Sequence, residues 1–239
     1  MNPYLIDLIK AYKKIVENNQ DTWKFEEFQI IECIHNYRMT WKPENVKVIL
    51  LAESHVFTKY CEYKNTFSSP INSNYTRFIY CLGYGEKDFF IKNLIIPKAG
   101  TPQFWTLFNK TRHSQFAVLK KDEKKFSNRI SNKINLLQDM KNNGIWLLDA
   151  SIVGIYENGK KPSNSIYNRI LRDSYAYYCE PIILKEKPDL IIIIGKGVNN
   201  SIGKLVKKLN ISIEVIDQPQ ARKQINTIDS VIEKYPNLF

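Results

Sequence analysis

Where the stretch "VKVILLAESHVFTKY" (46–60) stops being apolar, it presents Glu53, Ser54 and His55 in consecutive positions. A carboxylate, a hydroxyl and an imidazole side by side are groups that orient water, stabilise a developing cation and move protons. A chain that needed only a turn would use Gly, Asn or Pro there. Three other apolar runs end on polar groups too. "GIWLLDA" (144–150) carries Asp149 and leads into Ser151, "DLIIIIG" (189–195) leads into Lys196, and "ISIEVID" (211–217) leads into Gln218 and Gln220.

These ends converge only if the four runs lie side by side. Each has the length and β-branched content of a strand buried on both faces. Helical patterns fill the intervals: an N-terminal pair at roughly 3–18 and 23–39, a Lys-rich helical insert at about 72–143, then "NSIYNRILRDSYAYYCEPIILKE" closed by Pro188, and "VNNSIGKLVKKLN". Strands alternating with helices predict an α/β fold, a three-layer α/β/α sandwich around a four-stranded parallel sheet. With no repeat or low-complexity linker, the expectation is a single domain over 1–239. Its N-terminal helices occupy 1–42 and a motif-bearing core occupies 43–239. In such a sheet, ligands bind beyond the carboxyl ends of the strands.

Composition narrows the partners. The chain is 44% hydrophobic, enough for a real core, so general disorder is excluded. Its 35 Lys and Arg against 24 Asp and Glu give a formal charge of +11, which favours a polyanion such as DNA; a genome rich in Lys codons gives the same surplus. No apolar run approaches the roughly 20 residues of a membrane span. The N-terminal stretch is an amphipathic helix rather than a signal peptide, so a cytoplasmic location, without membrane contact, is the expectation. Cys33, Cys61, Cys81 and Cys179 form no CxxC pair. Reduced thiols, no metal and no cofactor are therefore expected. "GKGVNN" lacks the spacing of a phosphate loop.

At the strand ends the chain resembles the uracil-DNA glycosylase superfamily. "LAESHV" falls where members carry GQDPYH or GEAPG, with Ala52 for Gly and Glu53 for the acid. "NTFSSP" resembles the CFSVP segment, which makes Phe67 the aromatic that stacks on an extruded base and puts Ser69 near the DNA. "WLLDAS" resembles the base-reading LLLNT strand, with Asp149 in place of Asn. "DQPQARK" resembles the HPSPLS motif, with Gln218 for His and Pro219 retained. The Pro of the first loop is His55, and the Tyr that blocks base C5 in uracil enzymes is Val56.

The resemblance implies a monomeric enzyme that extrudes a base and hydrolyses its N-glycosidic bond. Glu53 would orient water or stabilise the sugar cation, with Ser54 or His55 assisting. Val56, Phe67, Asp149 and Gln218 would hold the base. Lys196, Gln220, Arg222 and Lys223, with Ser69, would hold the DNA, Arg222 standing where the family inserts a wedge. An ionised Asp only accepts hydrogen bonds, so it suits the exocyclic amine of cytosine and is repelled by O4 of uracil. A smaller residue at 56 admits a C5 substituent. The expected substrate is a modified cytosine of phage DNA, such as glucosylated hydroxymethylcytosine, as for a phage-defence branch of the superfamily. Ordinary uracil removal, a non-catalytic protein that senses modified bases, and a small-molecule nucleotide hydrolase are the other readings. Each residue also has a plainer role: Glu53 as a helix cap, His55 as a packing residue, Asp149 as a partner for loop backbone, Phe67 as core.

Overall fold

The computed structural model describes residues 3–19, 22–67, 73–86, 102–157 and 159–239. The four apolar runs form strands β1 (Val48–Ala52), β4 (Ile145–Asp149), β5 (Leu190–Ile194) and β6 (Ser212–Ile216); a short hairpin supplies β2 (Thr66–Phe67) and β3 (Ser73–Asn74). The four long strands make one all-parallel sheet in the order β4-β1-β5-β6. Every residue of β1, β4 and β5 is buried, as their uninterrupted apolar sequences require, whereas the edge strand β6 is largely half-exposed. The other edge, β4, is covered: Leu147 N–H donates to the Tyr80 hydroxyl at 2.9 Å and the Trp146 indole N–H donates to the Arg38 carbonyl at 3.0 Å.

Helices α1 (Pro3–Asn19) and α2 (Phe28–Thr40) precede the sheet. Between β1 and β4 come the single turn α3 (Tyr60–Tyr63), the hairpin, α4 (Pro102–Thr111) and α5 (Phe126–Asn142). Helices α6 (Asn164–Ser174) and α7 (Glu180–Glu186) lead from β4 to β5, and α8 (Lys196–Val206) leads from β5 to β6; α9 (Ile228–Lys234) follows β6. Right-handed crossovers put the connection from β1 to β4 on one face of the sheet and those through α6–α8 on the other, giving the three-layer α/β/α sandwich. One apolar cluster runs from Leu8 to Ile232 through all layers.

The sequence run 164–186 is one helical stretch, as expected, but it contains a π-helical segment, Tyr175–Cys179, between α6 and α7. The wider turn changes which side chains face the sheet, and it ends against Lys187 in the left-handed region just before Pro188.

Because the chain leaves β1 toward one face and leaves β4 toward the other, a crevice opens between their carboxyl ends. The strand order itself reverses next to it, between β1 and β5, the switch point of such sheets.

Candidate active site

The crevice holds a small pocket of about 40 Å³, well below the volume of ordinary small-molecule sites. Ala52 and Asp149 are paired across β1 and β4 at its base. Ser54, His55 and Val56 contribute from the loop after β1, and Arg77, Phe78, Tyr84 and Phe104 from the insert. The strand-end residues 54, 55, 56 and 149 singled out in the sequence therefore share one cavity.

Asp149 is not a lone carboxylate. Its Oδ2 accepts from Arg38 of α2 at 2.9 Å, and the two side chains are 3% and 1% exposed. Oδ1 takes no hydrogen bond from the described residues. The Arg38 guanidinium also lies 5.1 Å from the centre of the Phe78 ring. Burial opposes the Arg38 charge, but Tyr178 and Asp149 more than offset it, and its pKa lies above the ordinary value. Tyr178 comes from the π-helical segment and shares a 2.7 Å hydrogen bond with His35 Nδ1. The next residue, Cys179, directs its thiol to the Asp149 carbonyl at 3.2 Å. Burial first, then Arg38, holds the His35 imidazole down to about 4, so the ring is neutral behind the pair.

His55 is fixed from behind. Its Nε2 lies 2.9 Å from a carboxylate oxygen of Glu26, and both side chains are fully buried. Glu26 also accepts from Thr58 N–H at 2.7 Å and Gly154 N–H at 2.8 Å. One carboxylate thus ties the loop after β1 to the loop after β4. Their approach requires glycine, since a Cβ on Gly154 would stand 2.6 Å from the Phe57 Cα.

Glu53 turns away from this pocket. Its carboxylate accepts from the hydroxyls of Tyr167 in α6 and Tyr156, the latter at 3.4 Å. A Cβ on Gly197, in the first turn of α8, would lie 3.9 Å from Glu53 Oε1. Burial and the adjacent Glu53 carboxylate raise both phenols, Tyr156 to about 12, so both remain donors.

No protein-family model matches the chain, and no curated protein matches its sequence.

The remaining expected residues lie along the far half of the sheet edge. Gln218 packs on Gly195, where a Cβ would stand 2.7 Å from Gln218 Cγ and where φ is +103°, a backbone that favours glycine. Its side-chain oxygen accepts from Gln220 at 2.8 Å. Asp217 organises the following loop by accepting from the N–H groups of Ile225 and Asn226 at 2.8 and 3.1 Å. Those bonds, with Lys196 at 3.6 Å, hold its carboxyl below the usual range. The loop exposes Gln220, Arg222 and Lys223, and Ile225 is 70% exposed; Lys196 is exposed beside it. The hairpin pairs the Phe67 backbone with Ser73. The Phe67 side chain and all of Ser69 lie outside the described residues.

Sequence reasoning missed Glu26, Arg38, Arg77, Tyr156 and Tyr167. A signal for Arg38 exists: it stands four residues after Ile34 and seven after Ile31, on the apolar stripe of α2 where a charge requires a buried partner. Phe78, buried, lines the pocket with Asp149. Among the described residues no group of three or more His, Cys, Asp or Glu side chains is placed to hold a metal ion, and no helix is long and apolar enough to cross a membrane. Cys33, Cys81 and Cys179 are buried thiols, and Cys61 is an exposed one.

Proposed function

We propose that the chain is a DNA glycosylase of the uracil-DNA glycosylase superfamily type, hydrolysing the N-glycosidic bond of an extruded, C5-modified cytosine in phage DNA. The observation that carries this reading is the buried Asp149–Arg38 pair at the base of the pocket. Arg38 supplies the counter-charge that lets Asp149 stand as a carboxylate in a buried place, and Oδ1 is left to accept from a ligand. A hydrogen bond to such a group is worth roughly 1.5–3 kcal/mol, enough to choose an amino base over a carbonyl base. Val56, smaller than the Tyr of uracil enzymes, lines the wall, and the buried ring of Phe78 is the aromatic beside Asp149 among the described residues. The exposure of Lys196, Arg222 and Lys223 along the same edge of the sheet supports contacts to phosphates.

The test is incubation of the protein with glucosylated and unmodified phage DNA, followed by quantitation of abasic sites. Abasic sites in the glucosylated DNA alone are expected. Equal release from plain cytosine contradicts the C5 part, and DNA retention with no abasic product contradicts catalysis.

A further inference from the structure

We propose that His55, oriented by Glu26, accepts the proton of the attacking water, so that the base of this site is a Glu–His dyad; the inference rests on the glycosidic reading above. A carboxylate can only accept, so the imidazole nitrogen facing Glu26, Nε2, carries the ring proton. In the neutral ring Nδ1 is then a bare acceptor. It is buried and has no hydrogen-bond partner in the protein, although His55 lines the pocket. A buried acceptor without a partner is destabilising, a penalty relieved when the contents of the pocket donate to it. Glu26 is itself fixed by two backbone N–H groups from two different loops, so the imidazole is locked in one orientation. Glu53 is committed to Tyr167 and Tyr156 and does not line the cavity.

In the reaction the C1′–N bond breaks and its electron pair leaves with the base. The water oxygen bonds to C1′, and the water proton passes to Nδ1. That proton then returns to the departing base, so one water is consumed and an abasic sugar and a free base result. Glu26 acts through His55 and is a positioning residue: its negative charge favours the imidazolium formed on the way. The other charged or titratable groups at the pocket are Asp149 with Arg38, Arg77 with Glu62, and Tyr84.

Single-turnover base release and DNA affinity are measured across pH for wild type, His55→Gln, His55→Ala and Glu26→Gln. His55→Gln keeps a donor toward Glu26 but has no basic nitrogen, which preserves the fold. Its rate is expected to fall at least about 100-fold with DNA affinity within about threefold of wild type. Imidazole in the buffer is expected to restore His55→Ala at least about tenfold. Glu26→Gln is expected to shift the acid limb of the pH–rate profile to lower pH, because a neutral partner makes the imidazole less basic. Nitrogen-15 NMR of the free protein adds a readout independent of turnover, with the neutral His55 ring expected to carry its proton on Nε2. Wild-type release that survives His55→Gln within threefold overturns the dyad alone. Loss of rate matched by loss of DNA binding, without imidazole rescue, overturns it as well. Absence of release by wild type from every DNA overturns the glycosidic reading itself.

Discussion

Replacing Arg38 by Met separates the two jobs of the buried pair. In the folded protein the guanidinium meets Asp149 at 2.9 Å with both side chains nearly inaccessible. The intact pair contributes little net stability, because desolvation offsets attraction. Removing one partner is different, since it leaves a buried carboxylate without counter-charge at a cost of about 3–5 kcal/mol. The lost contact with the Phe78 ring adds about 0.5–2 kcal/mol, which the apolar Met partly offsets. A net loss of about 3–5 kcal/mol is therefore expected for Arg38→Met, read from urea unfolding at pH 7. Adding Asp149→Asn removes the stranded charge, so the double variant should be more stable than Arg38→Met by about 2 kcal/mol or more, a strong coupling between the two sites. If Arg38→Met costs less than 1 kcal/mol, or if the two substitutions simply add, the pair does not hold charge in the pocket and the base-reading chemistry built on it fails.

Three further outcomes are expected. His35 is held at about 4 against an ordinary 6.5, so the unfolded chain binds the proton more readily. The stability it contributes is full above pH 6.5 and falls by about 3 kcal/mol toward pH 4, a slope that His35→Gln should remove from urea midpoints measured across that range. Gly154→Ala forces a methyl to within 2.6 Å of the Phe57 backbone, so a loss of about 1–3 kcal/mol is expected in the same assay. For Arg222→Ala and Lys223→Ala, each phosphate contact removed should lower the slope of log affinity against log salt by about one, and unchanged slopes would place the DNA elsewhere.

The frame of this fold is legible in the sequence because it is local. Runs such as Leu190–Ile194 have the β-branched content of a strand buried on both faces, and the four strands lie where their patterns put them. The end of the sheet that carries the pocket follows from the parallel strands, since such sheets bind ligands beyond their carboxyl ends. The contacts that define the site are not local. Arg38 and Asp149 are 111 residues apart, His55 and Glu26 are 29 apart, and Glu53 and Tyr167 are 114 apart. No periodicity announces such partners, and the plainest local reading of Arg38 is a cation near a helix end. The π-helical segment was hidden for a related reason: one extra residue in a turn leaves an apolar run looking helical, yet it decides that Tyr178 and Cys179 face Arg38 and Asp149.

The most direct measurement is the identity of the base released by wild type and by Asp149→Asn from DNA containing either glucosylated hydroxymethylcytosine or uracil. An amide both donates and accepts where the carboxylate only accepts. Wild type should release the modified cytosine and leave uracil in place. Asp149→Asn should lose about 10- to 150-fold on the modified cytosine, the equivalent of one charged hydrogen bond, and should gain uracil release. A variant that still frees the modified cytosine at the wild-type rate would show that Asp149 does not read the base.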